Sequence, residues 1–313
     1  YNPITRVKRA GEDMANYQVT NRNDSGNGSF RDALLQGDRN IYFTVGGDWN
    51  LNSPLECKKP NVRIYAHLAP APGVTLKHYG LHVRTSQAQG IEVYGVRVRD
   101  VVANGGDAFM VKEFAHHVVF GWCSAKGAQD GAFDVSQGCS YVQMLYSILA
   151  QSNPANGNKG CLFFEGAEQV YLHHCLLTGF QQRNPKAEGP ASAATALTVA
   201  IVNNVMWDFT LGVRLDNQAH ANVIANYLHT AQGTAPGDYL KITNGALGYA
   251  SGNYSKLGYN VDAMGNQGTP FPGLPVATTS AADAAAAVLA SAGVRPLDTV
   301  DANLLAAISS VGL

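Results

Sequence analysis

The chain has 313 residues, of which 14% are charged and 33 are glycine, and its formal net charge is −1. That balance excludes a protein that holds nucleic acid by bulk positive charge, and no apolar run approaches the 18 or so residues of a membrane span, so no membrane partner is expected. Five cysteines, Cys57, Cys123, Cys139, Cys161 and Cys175, are odd in number and lack zinc-type spacing, which argues against a disulfide framework.

In chain order, residues 1–16 are polar and carry no pattern, and the start at Tyr1 rather than Met reads as a processed or trimmed chain. Tyr17-Gln18-Val19-Thr20 reads as a strand, NRNDSGNG as a turn cluster, and Ser29 as the N-cap of a short helix FRDALLQ, with Asp32 three residues on. Residues 17–36 thus form an N-terminal strand and capping helix. NIYFTV, PLECKKPNVRIYAH and GVTLKHYGLHVRT then give short β-rich runs broken by Gly, Pro and Asn.

Over residues 90–260 a loose repeat emerges. Aligning IEVYGVRV, HVVFGWCSA, YVQMLYSIL, QVYLHHCLL, VAIVNNVMW, ANVIANYLH and GYASGNYS on the residue after each strand selects Gly95, Cys123, Ser147, Cys175, Asn204, Asn226 and Asn253. The successive spacings, by subtraction, are 28, 24, 28, 29, 22 and 27. One strand per unit with loops of varying length is what a solenoid coil requires. Stacked coils would place Asn204, Asn226 and Asn253 in a hydrogen-bonded ladder and bury the cysteines as inert interior fillers. Both ends of such a cylinder expose strand edges that must be covered. Residues 278–313 supply a helical tail: SAADAAAAVLASAG, with Ser280 and Asp283 at capping-box spacing, then VDANLLAAISSVGL packed back on the barrel. No linker divides residues 1–313, which are expected to form one domain.

Asp107 in GGDAFMV and Asp130 and Asp134 in QDGAFDV have no adjacent basic residue. Clustered carboxylates favour a hard cation such as Ca²⁺. In an extended run, residues four apart sit about 13 Å from each other, too far to share one ion, so the segment must bend, as Gly131 permits. Any one of these aspartates alone would be an ordinary turn residue. Lys159 and Arg183 downstream are what set them apart. The pairs His116-His117 and His173-His174 do not read as metal sites, because consecutive strand residues face opposite ways; one His of each pair should be inside and the other outside. Trp122 and Trp207 are equally compatible with core and with sugar-stacking positions. Of the Asn-x-Ser motifs at Asn23, Asn27 and Asn253, the last is discounted as a ladder position.

GGDAFMV, HHVVFGWCSAKGAQDGAFDV, NKGCLFF and VYLHHCLLTGFQQRNPK, together with VTNRNDSGNGSFRDAL near the start and AGVRPLDTVDANLL in the tail, resemble the pectate lyases of the right-handed parallel β-helix superfamily. The resemblance covers most of the chain and implies an all-β, single-stranded right-handed solenoid with an N-terminal capping helix and C-terminal helices. It also implies that Asp107, Asp130 and Asp134 hold Ca²⁺, that Lys159 engages a substrate carboxylate, and that Arg183 is the catalytic base. Where the family carries a further basic residue three or five positions after that arginine, this chain has Lys186 and Glu188, so Lys186 is the candidate for binding a second uronate. The family's Asp-His ahead of the Cys-Ser strand is replaced by Gly121-Trp122.

The implied activity is β-elimination in pectate or another polyuronate by a secreted, monomeric enzyme. Removing the proton beside the uronate carboxylate requires stabilisation of the developing charge, which Ca²⁺ and Lys159 would supply. A neutral guanidinium fraction that grows with pH predicts activity rising into the alkaline range. Two other readings share the fold: a glycoside hydrolase using paired carboxylates, which would leave Lys159 and Arg183 without a role, and a non-catalytic glycan-binding or virion-attached β-helix.

Overall fold

The computed structural model describes residues 14–102, 106–189, 198–230, 235–273 and 276–310. Its strands are short because each coil must turn three corners, and they form three wholly parallel sheets of ten, eight and nine strands. After the first pair, Ala15–Val19 with Arg39–Phe43, each strand bonds to its counterpart one coil away rather than to its sequence neighbour, as Asp134 does with Met110 on one side and Leu162 on the other. Alternation sends Phe109, Phe120, Phe133 and Phe163 inward, where successive ring centroids lie 5.3, 5.8 and 5.9 Å apart. Each such buried phenylalanine contributes about 1.5–3 kcal/mol. Among the described residues no helix is long and apolar enough to cross a membrane.

The asparagine ladder forms as the repeat requires. Asn226 Oδ1 accepts from the Asn204 backbone N–H at 2.9 Å and from Asn204 Nδ2 at 3.0 Å. Asn253 Oδ1 repeats both contacts for Asn226, each at 3.0 Å. Asp262 then closes the ladder, accepting from Asn253 Nδ2 at 2.8 Å. Ser147 Oγ takes the same place for the Cys123 N–H at 3.1 Å. All five cysteines are free and buried, and burial pushes the thiols of Cys57, Cys123, Cys139 and Cys175 up to about 12.

One repeat position is corrected. Tyr94 pairs with Gly121 and Arg97 with Ser124, so Gly95 stands opposite Trp122, one residue before the ladder position of Cys123. It occupies the corner itself, at φ 79°, the left-handed conformation shared by Trp122, Tyr146 and His174. A Cβ at residue 95 would also lie 2.5 Å from the His67 nitrogen, so glycine is required there on two counts. These corners break the strict alternation expected of the histidine pairs. His174 (φ 54°) turns with the corner, and both His173 and His174 are buried, their Nδ1 atoms 3.1 Å apart. His116 and His117 are both partly exposed.

At the N-terminal end, α1 spans only Phe30–Ala33 rather than all of FRDALLQ, with Ser29 Oγ accepting from the Asp32 N–H at 3.1 Å. The N–H groups of Leu34 and Leu35 bond three residues back, to Arg31 and Asp32, and this tightening ends the helix. The C-terminal tail forms α2 (Ala281–Ser291, N-cap Ser280) and α3 (Thr299–Ser309, N-cap Asp298). Val288, Ala292, Leu305 and Ile308 pack on Ile148, Leu176, Val205 and Trp207 of the nine-stranded sheet. Trp207 is therefore core.

Candidate active site

The eight-stranded sheet faces away from α2 and α3, and the sequence-predicted site residues gather at its edge. Asp134 lies in the strand Phe133–Val135, Lys186 in the strand Lys186–Glu188, and Asp107, Asp130, Lys159 and Arg183 on the turns that lead into this sheet. Stacking of four successive coils brings together residues far apart in the chain.

Asp107 and Asp134 are buried side chains over one glycine. Asp107 Oδ1 accepts from the Gly131 N–H at 2.7 Å, and Asp134 Oδ1 accepts from the Leu162 N–H at 3.1 Å. A Cβ on Gly131 would lie 2.5 Å from Asp134 Oδ1 and 3.0 Å from Asp107 Oδ1, so the missing side chain leaves a small cradle rimmed by both oxygens. Burial raises both carboxyls above the usual range. Mutual repulsion adds to the rise, from Asp130 on Asp107 and from Asp107 and then Asp130 on Asp134, while Arg183 opposes it at both.

Asp130 stands apart, more exposed and turned towards Lys159, whose Nζ is 2.5 Å from Asp130 Oδ1. Among the described residues no three His, Cys, Asp or Glu side chains converge as a ready-made metal cage. The expected triplet is brought together as a pair with a third carboxylate held by lysine. The Asp130 turn is stapled by the next coil, where Asn153 Nδ2 donates to Gln129 Oε1 and Asn156 Nδ2 to the Gln129 carbonyl, both at 2.9 Å.

Arg183 projects from a turn at φ 64°. Its carbonyl accepts from the Cys161 N–H at 2.7 Å, and Gln182 bridges to Lys159. Its guanidinium reaches Asp134 Oδ2 only at 3.8 Å, attraction without a hydrogen bond, and keeps donors for another partner. Lys186 is engaged differently, with Nζ 2.5 Å from Glu188 Oε2 and 3.8 Å from Asp216 Oδ2.

Beyond Lys186 the sheet continues in a row that was not singled out in the sequence. Asp134, Leu162, Lys186, Arg214 and Lys241 are successive register partners on its outer face. Arg214 and Lys241 lie 28 and 27 residues further on, within the repeat length, so extending the repeat alignment to this sheet would have found them.

A parallel β-solenoid with two buried carboxylates and an arginine beside them on one outer face defines the class: a coil protein whose candidate site lies on a sheet. No known family model matches the chain. A probable pectate lyase C of Neosartorya fischeri is 27% identical over 318 residues, covering 95% of this chain and 73% of that protein. Among solved structures, a thermostable pectate lyase superposes with a TM-score of 0.68 at 14% identity, covering 90% of this chain and 92% of the other. A pectate lyase from Bacillus sp. N165 in complex with trigalacturonate gives 0.64 at 16% identity, covering 82% and 85%. The structural likenesses establish the fold. The sequence relatives add a likeness to probable pectate lyases that runs along nearly the whole chain.

Proposed function

We propose that the chain is a carbon–oxygen lyase that cleaves pectate or a related polyuronate by β-elimination on the outer face of the eight-stranded sheet. The observation that carries this reading is Arg183: a guanidinium held by its backbone turn beside two buried carboxylates, with no hydrogen bond spent on them. The names of the sequence relatives agree with it.

The residues present suit Ca²⁺. Oxygen donors, two of them rimming a space that a single Cβ would fill, and carboxyls whose ionised forms repel one another are what a hard divalent cation relieves. Asp107 and Asp134 would hold it, joined by Asp130 once that side chain leaves Lys159. A bound Ca²⁺ supplies Lewis acidity towards the substrate carboxylate.

The chain's own groups account for the remainder. Release of Lys159 frees an ammonium to pair with the substrate carboxylate, adding positive charge where negative charge develops. Arg183, in its neutral form, accepts the proton on the carbon beside that carboxylate. The electron pair of the broken C–H bond forms the carbon–carbon double bond, and the glycosidic C–O bond on the next carbon breaks, its oxygen taking a proton from solvent. This reading takes the coils as right-handed and α1, with Phe30 and Ala33 buried, as the cover of the first coil. It also takes a single chain as the working unit and the outside of the cell as its setting, since the substrate is a polymer.

The test is ultraviolet absorbance of the conjugated unsaturated uronate on polygalacturonate, with Ca²⁺ and with a chelator. Absorbance that grows with Ca²⁺ and stops with chelator is expected. Reducing ends without absorbance would make the chain a hydrolase and remove the role of Arg183.

A further inference from the structure

Trp122 is 38% exposed, whereas Trp49 and Trp207 are buried. It stands between the strands His116–Gly121 and Ser124–Lys126, at the corner of the ten- and nine-stranded sheets, the one corner of each coil that the eight-stranded sheet does not share. Along this corner the rings lie on one another. Trp122 and Tyr146 are 5.5 Å apart at an interplanar angle of 4°, and Tyr146 and His174 are 4.8 Å apart at 27°. One face of the indole is thus covered. The coil before has Gly95 at this position, and the column stops. The next ring on that side, Tyr94, is 6.2 Å away and tilted by 49°, so the second face stays open.

Two glycines make room beside it. The Tyr94 ring leans over Gly121, where a Cβ would lie 2.9 Å from it, and His67 lies over Gly95. The result is a pocket of about 550 Å³ lined by Trp122, Tyr94, Tyr65, His67 and Arg295, within the range of small-molecule sites. Its polar groups are few. The Tyr94 hydroxyl donates to Glu92 Oε2 at 3.1 Å, and Glu92 is itself paired with Arg63 Nε at 3.2 Å. Arg295 comes from the connection between α2 and α3 and is exposed. Its Nη2 donates to the Leu289 carbonyl at 3.3 Å, and among the described residues no carboxylate lies within ion-pair distance of it.

We propose that this pocket is a second, non-catalytic sugar site that takes a uronate, with the pyranose ring on the open face of Trp122 and its carboxylate on Arg295. The electron-rich face of an indole attracts the polarised C–H groups of a sugar ring. A guanidinium meets a carboxylate through two parallel hydrogen bonds. A neutral ligand would leave that cation unused. Sugar held here leaves the eight-stranded sheet free for a further stretch of the same polymer. The choice of a polyuronate rests on the lyase reading; the open indole and the unpaired guanidinium do not.

The experiment is titration of tryptophan fluorescence with trigalacturonate and with neutral galactotriose, in chelator, on wild type, W122F and R295A, with melting temperatures as a check on folding. Trigalacturonate should change the wild-type emission saturably, and W122F should lose that change, since the other two indoles are buried. R295A should raise the trigalacturonate midpoint about tenfold and leave the galactotriose midpoint where it was. No saturable change with trigalacturonate, a change that survives in W122F, or an R295A midpoint equal to that of wild type would each overturn the proposal. Assay of unsaturated product with Ca²⁺ separates it from the lyase reading. If wild type forms no product yet binds trigalacturonate through Arg295, the lyase reading fails and the pocket stands; if product forms and the emission never responds, the pocket alone fails.

Discussion

Two arginine–aspartate clusters sit on opposite sides of this solenoid, and they use their charges differently. Behind the nine-stranded sheet, Arg99 Nη2 donates to Asp301 Oδ1 at 2.8 Å and to Asp298 Oδ2 at 3.0 Å, and Ser124 Oγ donates to Asp301 Oδ1 at 2.6 Å. Arg97, also buried, donates to the carbonyls of Pro72 and Pro296 at 2.9 and 2.5 Å. There the charges join α3 to the coils. On the eight-stranded sheet Arg183 meets Asp134 only at 3.8 Å, and Asp107 and Asp134 repel one another. A charge cluster that closes on itself serves the fold, whereas one left open to a ligand serves chemistry.

The sharpest way to break this contrast is to remove one member from each side. Asp301→Ala takes from buried Arg99 one of its two carboxylate partners and from Ser124 its acceptor, and should cost about 1–3 kcal/mol in denaturant unfolding, with turnover per folded molecule unchanged. Asp134→Asn should do the opposite. Melting in the absence of Ca²⁺ should hold or rise, because a strained buried charge is removed, while turnover at limiting Ca²⁺ falls about 100-fold; isothermal titration of Ca²⁺ checks the cause.

The interior ladder belongs to the structural side. Asn226→Ala leaves the Asn204 N–H without its acceptor and should cost about 1–3 kcal/mol, read as a lower urea midpoint at unchanged slope.

The smallest effect is on acid stability. Burial holds His82 down at about 4 and His173 at about 3, below the usual 6.5. The unfolded chain therefore takes up these protons first as pH falls. Their contribution is fully present above pH 6.5 and is lost progressively as pH drops from 6.5 towards 4. Melting temperature followed over that window should fall, and His173→Gln should flatten part of the slope.

The coil architecture was legible because each coil repeats one local event: an apolar strand, a left-handed corner and a small or amide residue. Asn204, Asn226 and Asn253 carry that signal in the sequence itself. Gly95 misled by one position because glycine suits the corner as well as the residue after it, and only the Tyr94–Gly121 register separates the two. Asp107, Asp134 and Arg183 could be named from sequence, but the Lys159–Asp130 pair could not. Those residues are 29 apart and meet only because two coils stack. Trp207 was undecidable for a similar reason: what covers it is α2, more than 70 residues downstream, and long-range packing leaves no local periodicity to read.

The account depends most on Arg183. Its direct test compares formation of unsaturated uronate by wild type and by Arg183→Ala at matched Ca²⁺ saturation, after circular dichroism and calcium titration show that folding and cation binding are retained. Loss of a proton-accepting group should lower the rate by about 10²–10⁴-fold, with KM little altered. A variant that keeps wild-type turnover under those conditions would show that the proton leaves to some other group and that the open arginine is not the base.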